Sequence, residues 1–192
     1  MTQNSPSDRS YALGHDPAEL ERLARQGALF EPFTRRVLAA GLAPGMRVLD
    51  VGSGAGDVAL IAASLVGPTG EVVGTDRTGA ALGAARARAE LAGFTNTRFV
   101  EGDPTTLDLD GPFDAVVGRF VLMYYPDPAA ALRALAARVR PGGVVAFIEY
   151  DILGAEWWPD LPLVAQSHGL LARAFSAAGA RTYTATASQG LL

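Results

Sequence analysis

Val48-Leu49-Asp50-Val51-Gly52-Ser53-Gly54-Ala55-Gly56-Asp57 is the stretch that decides the fold. An apolar run ending at Val51 breaks into alternate glycines, and apolar residues at helical spacing resume at Val58. The order is strand, tight turn, helix. Glycine at such a turn removes the Cβ that would keep a ligand away from backbone N–H groups at a helix N-terminus, so the turn reads as a cradle for a nucleotide-type cofactor. The spacing is GxGxG with an acid, Asp50, two residues before the first glycine. The dinucleotide fingerprint is GxGxxG and needs no acid there, which disfavours a nicotinamide dehydrogenase.

Outward from that turn, strands alternate with helices. Arg47–Val51 reads as a first strand of buried parallel type and Asp57–Leu65 as a helix ended by Gly67-Pro68. Glu71–Thr75, Thr97–Glu101, Phe113–Gly118 and Gly143–Tyr150 read as further strands, the last entered through an Arg140-Pro141-Gly142-Gly143 turn. Thr78–Ala92, Pro128–Val139 and Leu161–Ala178 read as helices, and one or two more precede the sheet from Asp16 onward. The expected fold is α/β: a Rossmann-like, doubly wound, mostly parallel sheet with helices on both faces. Ligands in such sheets sit beyond the carboxyl ends of the strands. Asp50, Asp76 and Asp103 each fall at or just past such an end, which predicts one shared rim.

Composition bounds the rest. A chain of 192 residues reads as one domain with one core. Its expected parts are a helical cap over 1–40, a cofactor-binding core over 46–150 and a shortened C-terminal segment over 151–192. No apolar run reaches the roughly 18 residues of a bilayer span, and the N-terminus lacks a leader pattern, so a cytoplasmic protein is expected. The sequence contains no cysteine and two histidines, His15 and His168. That rules out disulfides, thiolate-held zinc and a thiol nucleophile, and no metal is expected. A net charge of −4 argues against nucleic acid as a partner, which calls for a basic face.

With these segments in order, the chain resembles the class I S-adenosylmethionine-dependent methyltransferases over roughly residues 11–178. DVGSGAG resembles the family's first motif, VVGTD ends in the acid expected after strand two, and FVEGD carries the Gly-Asp pair after strand three. FDAVVGRFVLMY resembles the fourth motif and VRPGGVVAFIEYD the strand-five segment. YALG with ERLARQ resembles the start of small-molecule methyltransferases of bacterial quinone and secondary-metabolite pathways.

The resemblance implies S-adenosylmethionine as cofactor, S-adenosylhomocysteine as product and a small-molecule methyl acceptor. Gly52, Ser53, Gly54 and Gly56 would lie against the methionine part of the cofactor, with Asp50 toward its ammonium. Asp76 would accept bonds from the ribose hydroxyls; as the alternative, it caps the helix that follows. Asp103 would accept from the adenine amino group, with Gly102 and Pro104 shaping that pocket, or it is a plain turn aspartate. Arg77 would stack on adenine or face solvent. The Arg119 backbone would meet the ammonium while its side chain points elsewhere, and Tyr11 would close over the cofactor.

Methyl transfer from a sulfonium needs alignment and exclusion of water more than it needs a base. Where the acceptor requires one, His168 and Tyr124 are the catalytic candidates, with Tyr125, Glu149 and Asp151 also near the rim. His168 reads alternatively as a structural histidine. Trp157-Trp158 would form an apolar acceptor wall, or core or interface aromatics. Two other functions stay open: a non-methylating cofactor-binding regulatory subunit, and a cyclase on the same scaffold.

The family sheet ends in an antiparallel strand pair, for which RTYTATASQGLL has room for one short strand, over Thr182–Ala187. Strand five is then expected at a sheet edge, covered by this tail or by a second copy of the chain, which makes a homodimer an expectation.

Overall fold

The computed structural model describes residues 17–177 and 179–180, with side chains from Gln26 onward. Tyr11, the YALG segment and the Thr182–Ala187 strand lie outside the described residues.

A single helix, α1 (Pro17–Ala39), precedes the sheet. It is followed by β1 (Arg47–Val51), α2 (Asp57–Val66), β2 (Glu71–Asp76), α3 (Gly79–Leu91), β3 (Thr97–Glu101), β4 (Phe113–Arg119), α4 (Pro128–Ala136), β5 (Val139–Ile148) and α5 (Pro162–Ala177). All strand pairings are parallel, in the order β3-β2-β1-β4-β5. The expected α/β architecture is therefore present. Strand order reverses between β1 and β4, which opens a crevice at the carboxyl ends of those strands.

Alternation along the strands divides the core into two layers. Val48, Val72, Ala115 and Val117 face Leu38, Ile61, Leu82 and Ala85 of α1, α2 and α3. Leu49, Val51, Val73 and Val116 face the other way, onto Leu135 and Ala131 of α4. Each such buried Val or Leu contributes about 1.5–3 kcal/mol. Period two puts Asp50, within β1, on the same face as Val48.

Local chemistry sets the helix ends. Asp127 caps α4 by accepting the Ala130 N–H at 2.9 Å, and Pro128 occupies the first turn, where its missing N–H costs nothing. One expectation needs correction: the Arg140-Pro141-Gly142-Gly143 segment does not precede the last strand but lies within β5. Val139 already pairs with Phe113, and the register slips before Ala115 meets Val144, so the segment is absorbed as a bulge.

On its far side β5 has no strand partner among the described residues, and its Val145 is 37% exposed. No residue of α5 is buried. A third, smaller apolar cluster joins Met123 and Ile152 to Tyr124, Tyr150 and Phe175 at this end of the molecule. No helix among the described residues is long and apolar enough to cross a membrane.

Candidate functional site

A cavity of about 560 Å³ opens at the carboxyl rim of the sheet, within the ~300–1,000 Å³ span of small-molecule sites. On its β3–β2–β1 side it is lined by Gly102 and Pro104, by Asp76 and Arg77, and by Gly52, Ser53 and Gly54. On its β4–β5 side the lining includes Phe120, Tyr124 and Tyr150, with Leu171 and Phe175 from α5. Gln26 and Gly27 of α1 lie across it. Of the three acids expected on one rim, Asp76 lines this cavity, whereas Asp50 and Asp103 stand behind its wall.

The glycine turn divides its labour. Gly54 has φ +52°, and a Cβ added there would meet no heavy atom within 4 Å, so the position faces open space in the cavity. At Gly52, φ +65°, a Cβ would come within 2.5 Å of the Val121 side chain. Gly56 differs from expectation. It does not line the cavity; its Cβ position lies 3.1 Å from Ala85, so this glycine admits α3 against the start of α2.

Asp76 locks the turn to β2. One carboxylate oxygen accepts the Gly54 N–H and the other the Thr78 N–H, each at 2.9 Å. The first bond shapes the cradle and the second steadies the entry to α3, so the helix-end role is real. A carboxylate offers about four lone-pair sites, which leaves about two directed elsewhere.

Asp50 is fully buried beneath the turn and does not itself line the cavity. Neither of its carboxylate oxygens has a hydrogen-bond partner, and the neighbouring Ser53 hydroxyl, also buried, has none either. Burial pushes the Asp50 carboxyl up to about 7. The Ser53 hydroxyl and the Arg119 guanidinium beside it oppose that rise. A buried acceptor without a donor costs about 1–3 kcal/mol, and unexplained orphans of this kind cluster at functional sites.

The Arg119 side chain turns toward α1 and α2. It meets Asp57 at 3.2 Å and the Thr34 hydroxyl at 3.0 Å, and Arg88 holds the other Asp57 oxygen at 2.7 Å. Phe120 follows with φ +57°, a left-handed backbone in a bulky residue, which costs about 1–2 kcal/mol. Its ring stacks flat on Tyr150, centroids 3.9 Å apart at 6°, and Phe30 of α1 meets both rings edge-on. The Gln26 amide donates to the Tyr150 hydroxyl at 2.8 Å. These contacts fasten α1 over the ends of β4 and β5.

Several sequence expectations are revised by the geometry. Arg77 neither faces solvent alone nor lies free to stack: it pairs with Asp103 at 2.5 Å and sits 5.0 Å from the Tyr125 ring centroid. Asp103 also accepts from the Thr105 N–H and hydroxyl and from the Tyr125 hydroxyl, and it stands behind Gly102 and Pro104 rather than in the cavity wall. Burial alone would raise the Asp103 carboxyl, but the Thr105 bonds and Arg77 hold it below its ordinary value. Burial pushes the Tyr125 phenol up, and the Asp103 carboxylate adds to that.

His168 lies outside the cavity lining; its ring packs 5.1 Å from Trp157 and its Nε2 is buried without a partner. Trp157 and Trp158 do not line the cavity, and Trp158 is 93% exposed. Glu149 is not a rim base either: one of its oxygens accepts the Val121 and Leu122 N–H groups at 3.0 and 2.9 Å, anchoring the 3-10 turn Leu122–Tyr124. Burial raises its carboxyl. Asp151 accepts the Gly154 N–H in a local turn. Of the base candidates, Tyr124 and Tyr125 line the cavity. Sequence reading missed Gln26, Asp57, Phe120 and Tyr150; only Asp57, next to the glycine turn, carried a signal.

The family model "Methyltransferase domain" matches residues 42–176. An arsenite methyltransferase of Aquipseudomonas alcaligenes is 34% identical over 160 residues, 69% of this chain and 46% of that protein. A ubiquinone/menaquinone biosynthesis C-methyltransferase of Ectopseudomonas mendocina is 37% identical over 125 residues, 64% of this chain and 48% of that protein. The chain thus spans about half the length of these curated relatives. Among solved structures, a SAM-dependent methyltransferase from Aquifex aeolicus shares the fold, with a TM-score of 0.63 at 24% identity over 88% of this chain and 90% of that one.

Proposed function

We propose a function from the premise that this chain belongs to the class I S-adenosylmethionine-dependent methyltransferases: it binds that cofactor at the glycine turn and methylates an O, N or C atom of a small organic molecule. The observation that carries the reading is the orphaned Asp50 carboxyl and Ser53 hydroxyl beneath an open Gly54. An ammonium group in the cavity above the turn would favour the ionised form of the Asp50 carboxyl beneath it and draw its proton off. The residues present therefore fit the cofactor. Asp76, with lone pairs to spare, would hold the ribose hydroxyls; Gly102 and Pro104 would border the adenine. Asp103 would reach the adenine amino group only by giving up one of its present donors.

S-adenosylmethionine supplies a methyl group on a sulfonium, whose C–S electron pair stays on sulfur as the acceptor's lone pair forms the new bond. The chain's own task is alignment and dryness. The Phe30–Phe120–Tyr150 cluster and Gln26 shield the rim between β4 and β5 from water. Asp57 and the Thr34 hydroxyl hold the Arg119 guanidinium toward α1 and α2.

Calorimetric titration with S-adenosylmethionine, S-adenosylhomocysteine and NAD tests the cofactor reading. The first two should bind, and Asp76→Ala should weaken them by about 2 kcal/mol, roughly 30-fold. Binding of NAD alone would refute the assignment.

A further inference from the structure

We propose that the β4–β5 end of the cavity takes a neutral, apolar, ring-bearing acceptor with an oxygen that receives the Tyr150 hydroxyl proton in a hydrogen bond; this rests on the cofactor reading above.

Among the described residues, the charged side chains of the lining all stand on one side of the cavity. Asp76 is committed to the Gly54 and Thr78 N–H groups, Arg77 to Asp103, and Asp57 and Arg119 to each other. Beyond Arg119 the described wall is apolar and aromatic, and includes Met123, Tyr124, Tyr150, Ile152, Leu171 and Phe175. No carboxylate, guanidinium or imidazole stands among them. A charged acceptor would shed its hydration here without finding a partner, at a cost of several kcal/mol. A neutral apolar one would instead cover surface that the third core cluster leaves half-buried around Tyr124, Tyr150 and Phe175.

Shape adds to polarity. Phe120 and Tyr150 lie in parallel planes at the cavity wall, and Phe120 holds that pose through a left-handed backbone. Aromatic rings so arranged offer flat faces and edges that favour another ring. The Tyr150 hydroxyl already accepts from Gln26. Its lone pair is thereby oriented, and its own proton is left to donate.

The test uses the chain saturated with S-adenosylhomocysteine, titrated at pH 7 with 2-naphthol, with 2-naphthoate as the charged counterpart and with naphthalene as the ring without oxygen. Naphthol should bind at least about tenfold tighter than naphthoate, the equivalent of one uncompensated buried charge well screened. Tyr150→Phe should weaken naphthol about five- to tenfold and leave naphthalene unchanged. Leu171→Asp, at a half-exposed position on α5 where a polar side chain is compatible with folding, should remove naphthol binding. Naphthoate binding as tightly as naphthol, no naphthol binding to the saturated protein, or equal losses for naphthol and naphthalene in Tyr150→Phe would each overturn the proposal. Failure of S-adenosylhomocysteine itself to bind would instead overturn the cofactor reading.

Discussion

Replacing Asp50 with Asn separates what this carboxyl costs the fold from what it does for a ligand. In the native chain the carboxyl keeps its proton up to about pH 7, because burial disfavours the charged form, whereas an ordinary aspartate ionises near 3.8. The unfolded chain therefore loses its proton first, and as pH rises between those values native stability falls. The gap corresponds to about 4 kcal/mol once both states are ionised, an upper value because the interior can relax. Asparagine nearly matches the shape and never ionises. Asp50→Asn should therefore unfold like the parent near pH 4 and be the more stable protein at pH 8, by up to about 4 kcal/mol. For a chain of this size that is a rise of about 8–16 °C in the thermal midpoint.

The same variant should bind S-adenosylmethionine about tenfold more weakly, because no carboxylate forms beneath the turn to attract the ammonium. Binding to the parent should in turn strengthen from pH 6 to pH 8, as less of the ligand's free energy goes into removing the proton. Denaturant unfolding across pH, with calorimetry for the ligand, measures both sides. A stability difference that does not change between pH 4 and pH 8 would refute the account of Asp50. Unchanged affinity in Asp50→Asn would remove it from the ammonium site.

Three further outcomes are expected. Gly54→Val should cost the fold about 1–2 kcal/mol for its left-handed backbone, yet weaken cofactor binding by more than tenfold, since its side chain would fill open cavity; a thermal melt and a titration on one sample compare the two losses. Glu149→Gln should retain stability because its amide oxygen can still accept from Val121 and Leu122, whereas Glu149→Leu should lose about 2–4 kcal/mol by orphaning both N–H groups. Arg77→Ala should free one oxygen of Asp103 and leave the fold within about 1 kcal/mol, as befits a half-exposed ion pair; if the pair hinders adenine, association with S-adenosylmethionine should quicken in stopped-flow.

The strands were legible because apolar runs, breakers and the glycine turn are local signals. β1 and β3 begin and end where the residues predict, and β2 and β4 run one residue longer. β5 was misjudged at its start because Pro141 and two glycines normally end a strand; only the pairing of Val139 with Phe113 carries it through them. Roles were harder to read than elements. Asp103 and Arg77 are both surface-type residues in sequence, and nothing local shows that the ends of β2 and β3 stand close enough for them to pair. Gly56 looked identical to Gly54 until Ala85 of α3 was seen to press on it. Phe30, Phe120 and Tyr150 are separated by 90 and 30 positions, and no periodicity links them.

The strand order β3-β2-β1-β4-β5 also sorts the gene by task. Residues 47–104 build one half of the rim, where the cofactor would lie, and residues 119–175 build the half where the acceptor would lie. A recombination point in the segment between β3 and β4 would exchange the acceptor half as a block, provided the contacts that cross the boundary, Arg119 with Asp57 and Tyr125 with Asp103, are kept. Mutations that broaden or retarget the enzyme are then expected to accumulate after residue 119, and a library confined to that half samples new chemistry at little risk to the methyl supply.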